Sequence, residues 1–330
     1  MCRRRAGNWP RRPSADGSVV APCVAVLVNP EAGLSTGQDQ TAALAAIVGD
    51  RGFVRRVSAV DELAAFASEA RDAGVDIVAV RGGDGTLGRA ATAVATAYAD
   101  VSLPILAPLG GGTMNTIARS LGLRRSRPEI GIGRIVGGDL SAQSTVRQGT
   151  MRLAGGRLGF MVGAGVPARF LALYGQGRVL GTGRAVRVLA RLIASSVLGG
   201  GAAREMFAAV AARAELDGRD VGLDRISLVY CATIDQIGLG FRPTPRAREQ
   251  VGRFQVLLGS VGELDLARAL PRIWRGRGVL GRGWMDACGA GLHIAFHEPT
   301  LYMVDGDVGE PIGELDLRAG PVFEMLVAGA

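Results

Sequence analysis

Along the first 140 residues, short β-branched or aliphatic runs alternate with longer stretches of helix-forming composition. Residues 24–28, 54–57, 77–80 and 103–108 read as strands. Between and after them, 41–48, 61–73, 87–97 and 113–121 read as helices, followed by a short one at 128–136. Asp61 stands at or near a helix cap with Glu62 in the first turn, the end of a helix where negative charge is favourable. Strand and helix in strict alternation predict a parallel, doubly wound sheet. From Gln143 the pattern changes to short strands separated by glycine, at 150–154, 157–162, 206–211, 226–233, 254–258, 292–296, 301–304, 313–317 and 322–326. Such spacing predicts a β-sandwich. Two helices interrupt it, at about 184–197 and 264–275. The expected architecture is α/β plus all-β: a disordered basic tail over 1–22, an α/β domain over 23–140, and a β-sandwich domain over 141–330 whose last strand is free to return toward the first domain.

The chemistry gathers between Ile77 and Ser120. The first run, 77–80, is followed by Arg81 and then Gly82, Gly83, Asp84, Gly85 and Thr86, opening a helix. Glycines allow a bulky ligand within hydrogen-bonding distance of the backbone, and the free N–H groups at the start of the next helix form an anion site. Asp84 repels a bare polyphosphate, so the turn suits a metal-complexed nucleotide. The unit repeats at 103–108, with Gly110, Gly111 and Gly112 as the second turn and Asn115 available as a helix cap. In an open α/β sheet both turns fall at the carboxyl edge, where ligands bind. After the first strand, Pro30 fixes the chain direction and Gly33 permits a bend, leaving the Asn29 amide free to reach that edge.

Composition narrows the partners. All 38 basic residues are Arg, against 30 acidic residues, for a net charge of +8. That balance favours anionic partners such as nucleotides, acidic lipid surfaces or nucleic acid, and phosphate contacts must come from Arg or backbone. Cys2, Cys23, Cys231 and Cys288 are scattered without C-x-x-C spacing, which argues for a reducing compartment and against structural zinc. No apolar run reaches the length of a membrane span. Arg184, Arg187 and Arg191 share one face of the helix at 184–197, which suits either an anionic bilayer or packing of its apolar side on the sandwich. Arg272, Trp274, Arg275, Arg277, Arg282 and Trp284 form a basic and aromatic stretch suited to a lipid interface. No nucleic-acid recognition motif accompanies it, so nucleic acid is not expected. His293 and His297 lack ligand spacing and read as structural.

GGDGT at 82–86 followed by PLGGGTMNTIAR at 108–119 resembles the catalytic domain of the diacylglycerol kinase and sphingosine kinase family of lipid kinases. The turn at 29–33 is similar to that family's NPxxG. The resemblance implies ATP and Mg as cofactors, a lipid substrate bound by the second domain, and peripheral work on the inner face of the membrane from the cytoplasm. Pairing into a homodimer is left open. It implies nucleotide contacts from Asn29, Pro30, Gly82, Gly83, Gly85, Thr86, Gly112, Thr113 and Asn115, and a catalytic, Mg-holding role for Asp84 through the phosphates. Membrane contacts fall to Arg184, Arg187, Arg191, Trp274 and Trp284. Val304 to Asp307 resemble a late DGE element with Asp in place of Glu, which implies Asp307 as the catalytic base; D-G is also a hairpin signal. The family's D-G-x-L-D segment falls on Val251 to Gln255 with both acids missing, so a second Mg site is not expected. Two rival readings remain: a soluble kinase resembling NAD kinases, and a relative that binds nucleotide or lipid without turnover.

Overall fold

The computed structural model describes residues 22–32, 40–112, 114–123, 127–137, 143–175, 201–238, 240–279, 281 and 283–328. Residues 1–21 of the expected basic tail, Gly33, Thr113 and the helix carrying Arg184, Arg187 and Arg191 lie outside the described residues. The chain divides into two units, one formed by residues 1–148 with 322–330 and the other by 149–321.

In the first unit the strands are β1 (Val24–Val28), β2 (Gly52–Arg56), β3 (Ile77–Arg81) and β4 (Ile105–Pro108). They pair in the order β2-β1-β3-β4, all parallel, and the end of a last strand joins β4 through Met325 beside Leu106. Every residue of β1 and β3 is buried, as a strand covered on both faces requires. Val24, Val26 and Val28 pack with Ile77 and Ala79 against Leu44 and Val48 of α1 (Gln40–Val48) and Ile132 and Ile135 of α5 (Pro128–Val136). Burying each such side chain contributes about 1.5–3 kcal/mol. Between these helices in sequence come α2 (Val60–Asp72), α3 (Asp84–Ala97) and α4 (Thr116–Ser120). The helix α2 starts before Asp61, and it is Glu62 that accepts from the N–H groups of Ser58 and Ala59. The connection after β1 departs to β2 on one side and the connection after β2 carries the chain back past β1 to β3. Strand order therefore reverses between β1 and β3, the place where open α/β sheets present ligand sites.

In the second unit two antiparallel sheets enclose one core, the predicted sandwich. One sheet joins β8 (Val210–Leu216), β14 (Gly291–Thr300) and the first part of β17 (Ile312–Ala328). The other runs through β13 (Trp284–Gly289), β12 (Phe254–Gly259), β11 (Leu228–Ala232), β7 (Met161–Gly165), β15 (Tyr302–Val304) and β16 (Asp307–Val308). Alternate residues from both sheets meet, among them Val162 and Ala164, Phe254, Val256 and Leu258, Leu292 and Ile294, and Leu315 and Leu317.

Several expected elements differ. The strand read at 206–211 begins only at Val210, because Gly201–Met206 closes as a short helix. A helix absent from the sequence reading, Val166–Gly175, starts beside Pro167, which is preset for a first helical turn. The two strands expected at 313–317 and 322–326 are one continuous strand. Within it Gly320 allows close approach: a Cβ there would sit 2.5 Å from the Thr150 hydroxyl, which donates to the Pro321 carbonyl at 2.7 Å. The basic and aromatic stretch ends in an unforeseen strand, since Trp284 opens β13. No helix among the described residues is long and apolar enough to cross a membrane.

Candidate active site

Two glycine turns leave neighbouring parallel strands and meet backbone to backbone. Past β3, α3 begins at Asp84, three residues earlier than composition indicated, with the Leu87 N–H donating to the Gly83 carbonyl at 3.0 Å. Gly83 occupies the cap position in extended conformation and supplies no side-chain bond, so the positive end of the α3 dipole keeps N–H groups for a ligand. A Cβ on Gly82 would fall 2.5 Å from Cβ of Thr86, so the turn closes this tightly only with glycine.

Past β4, Gly110 and Gly111 take positive φ, 68° and 144°. A Cβ on Gly112 would lie 2.5 Å from the Gly83 Cα, and one on Gly111 would collide with the Arg81 guanidinium. Asn115 is left-handed at φ 48°, a conformation Asn tolerates better than most residues. It occupies the expected cap position of α4, but its side chain makes no capping bond. Its side chain turns back, and Oδ1 accepts from the N–H groups of Gly111 at 3.2 Å and Gly112 at 2.8 Å.

The cap of α4 comes instead from across the site. Asp84 Oδ2 accepts from the Thr116 N–H and Oδ1 from the Ile117 N–H, both at 2.9 Å. One carboxylate thus ties the two turns together. Burial pushes the Asp84 carboxyl above its ordinary value, and the opposing pull of those two N–H groups, the Thr116 side chain and Arg119 does not cancel it. On the β1 side, the Asn29 amide donates to the Thr86 hydroxyl at 2.9 Å while its Oδ1 accepts from the Glu31 N–H, an Asx turn running through Pro30. The Asn29 N–H donates to the Arg81 carbonyl, locking the ends of β1 and β3.

The fold therefore gathers Asn29, Pro30, Gly82, Gly83, Asp84, Gly85, Thr86, Gly112 and Asn115 at one sheet edge. Sequence reasoning passed over Arg81 and Gln40. Arg81 is 7% exposed, its Nε donates to Gln40 Oε1 at 2.9 Å, and burial lowers its pKa. The available signal was a charged residue ending an otherwise apolar strand directly before a glycine turn.

The remaining candidates lie in the second unit. Asp307 opens β16, and its carboxylate is 3.1 Å from Arg157. Beside it Asp305, 1% exposed and left-handed at φ 50°, accepts from the N–H groups of Phe160 and Met161 at 2.8 Å and fixes the turn. Where the two acids of D-G-x-L-D are missing, Val251 is exposed and Gln255 is fully buried. Gln255 accepts from the Arg246 N–H and donates to Asp286, which also pairs with Arg246 at 2.7 Å. A guanidinium supplies the positive charge beside Asp286. No cluster of three or more His, Cys, Asp or Glu suited to a metal occurs among the described residues. Trp274 is exposed at a helix end, whereas Trp284 is half-buried against Gly259.

Residues 23–147 match the family described as the diacylglycerol kinase catalytic domain. No curated protein matches the sequence. Among solved structures, a candidate diacylglycerol kinase from Bacillus anthracis str. Sterne is 17% identical with a TM-score of 0.65, covering 92% of this chain and 94% of its own. A protein named as a diacylglycerol kinase from the same organism is 16% identical with a TM-score of 0.57, covering 93% and 94%. At these identities the likeness is one of fold. The family match covers residues 23–147, less than half of the chain.

Proposed function

We propose that this chain, whose residues 23–147 belong to the diacylglycerol kinase catalytic domain family, is an ATP- and Mg-dependent lipid kinase that phosphorylates the hydroxyl of a diacylglycerol-like lipid. The observation that carries the nucleotide part is the backbone-to-backbone packing of the two glycine turns over the uncapped start of α3. Side chains are absent at Gly82, Gly83 and Gly112, where a polyphosphate must approach, and the N–H groups at Gly85 and Thr86 lie at the positive end of the helix. Asp84 stands inside the first turn, where a carboxylate repels a bare polyphosphate and tolerates a metal-complexed one.

Mg-ATP, when bound, supplies the transferable phosphoryl group and the charge that screens it. The chain's own residues position and hold. Asn115 keeps the second turn closed, Asn29 orients the Thr86 hydroxyl, and Asp84 holds α4 to the first turn. Thr113 is assigned with Asn115 to the nucleotide. Asp307 is assigned as acceptor of the lipid hydroxyl proton, a role a carboxylate can fill when positioned at hydrogen-bonding distance. A lipid with two acyl chains is not a free solute, so the enzyme would meet it at the inner face of the membrane.

The test is transfer from labelled ATP with Mg to a panel of diacylglycerol, sphingoid and other lipid alcohols in mixed micelles, with NAD in a parallel reaction. Labelled phosphatidate-like product is expected. Labelled dinucleotide would establish the soluble-kinase reading instead, and Mg-ATP binding without any labelled product would establish a binding protein.

A further inference from the structure

We propose that the outward face of the helix Glu263–Trp274 docks the second unit on an anionic bilayer. The helix buries Ala269 and Ile273 and turns the opposite side to solvent. At 100° per residue that outward side carries Leu264, Arg268, Pro271, Trp274 and Arg275. Leu264 is 54% exposed and Trp274 is 60% exposed, and they stand about 15 Å apart at the two ends of that side. The chain then turns through Gly276 and Gly278 at positive φ, which brings Arg277 to the same end. The Arg242 N–H donates to the Ile273 carbonyl, which adds another arginine beside the last turn.

Charge selects the partner. Residues 263–277 hold four arginines and two acids, with both acids, Glu263 and Asp265, in the first turn. Arg268 has Asp265 at 3.9 Å, Arg242 is paired with Asp235, and among the described residues Arg275 and Arg277 form no ion pair. Arginines near a helix C-terminus also complement its dipole, which accounts for Arg272 and Arg275. It does not account for the exposed Trp274 between them, nor for the exposed Leu264 in the first turn. An indole beside arginines is the combination that settles at the headgroup level of a bilayer, with the ring at the interface and the cations against anionic lipid.

Docking is independent of turnover, so it is measured without nucleotide and stands or falls separately from the kinase reading. The full chain is sedimented with vesicles of phosphatidylcholine alone or mixed with phosphatidylglycerol. Binding is expected only with the anionic lipid, weakened by salt, with a blue shift of indole emission that is absent in Trp274→Phe. Each arginine near such a surface corresponds to about fivefold in partition, so Arg268→Gln/Arg275→Gln/Arg277→Gln should lose about 100-fold. Leu264→Ser/Trp274→Ser should weaken binding at unchanged charge. These side chains are exposed, and circular dichroism of each variant checks that the fold is kept. Wild-type binding by the triple variant overturns the proposal, as does failure of the wild type to bind anionic vesicles. Binding that persists in both variants and vanishes on removal of residues 1–21 places the contact on the basic tail and also overturns it.

Discussion

Substituting Gly112 and Gly83 separately by Ala tests the packing of the two turns, because the clearances are unequal. A Cβ on Gly112 would sit 2.5 Å from the Gly83 Cα and 3.1 Å from Asn115 Oδ1. Carbon atoms rest about 3.5–4.0 Å apart, so roughly 1 Å must be found by moving backbone, since Gly83 has no side chain to rotate away. Overpacking of this kind costs about 1–3 kcal/mol. The same shift loosens the bond from the Gly112 N–H to Asn115. From the other side, a Cβ on Gly83 meets the Gly112 Cα at 3.5 Å, ordinary contact, and φ −86° with ψ −176° is open to any residue. Gly83→Ala should therefore change stability by less than about 1 kcal/mol, the gain through the unfolded chain being opposed by the poorer Ala cap. Urea unfolding followed by circular dichroism measures both, and calorimetric titration with Mg-ATP follows the site. Gly112→Ala should unfold at lower urea and bind nucleotide at least about tenfold more weakly, as a misplaced turn implies. Equal stability of the two variants, in either direction, would refute the reasoning from clearance.

Asn115→Ala removes the acceptor of two backbone N–H groups and puts Ala at φ 48°, so it should cost about 2–3 kcal/mol in urea unfolding, while Asn115→Asp, which keeps an acceptor oxygen, should cost less. In the second unit, burial pushes the Asp217 carboxyl up, but the N–H groups of Ala290 and Gly291 and the Arg253 guanidinium outweigh it and hold it below the ordinary carboxylate value. A depressed folded pKa gives stability that is present at neutral pH and lost as pH falls from about 4 through that lower value, so Asp217→Asn should flatten the decline of the urea midpoint between about pH 5 and about pH 2.

The sequence alone determined what local chemistry dictates. Short apolar runs rich in β-branched residues, such as 24–28 and 77–80, read as buried strands, and glycine at 82, 83 and 112 marks where backbone can come close. The parallel sheet, the sandwich and the sheet edge holding the two glycine turns followed from alternation and period. Contacts between distant segments were a matter for the tertiary structure. Asp84 and Thr116 are 32 residues apart, and no spacing shows that the carboxylate caps α4 while Asn115, the residue at the cap position, is turned away. The segments 313–317 and 322–326 read as two strands because composition cannot show that Thr150 packs against Gly320 between them. Trp274 and Trp284 were alike in sequence, and only packing against Gly259 distinguishes the half-buried ring from the exposed one. Pattern fixes which face of an element is apolar, but the partner of that face is chosen by which chain segments close over it.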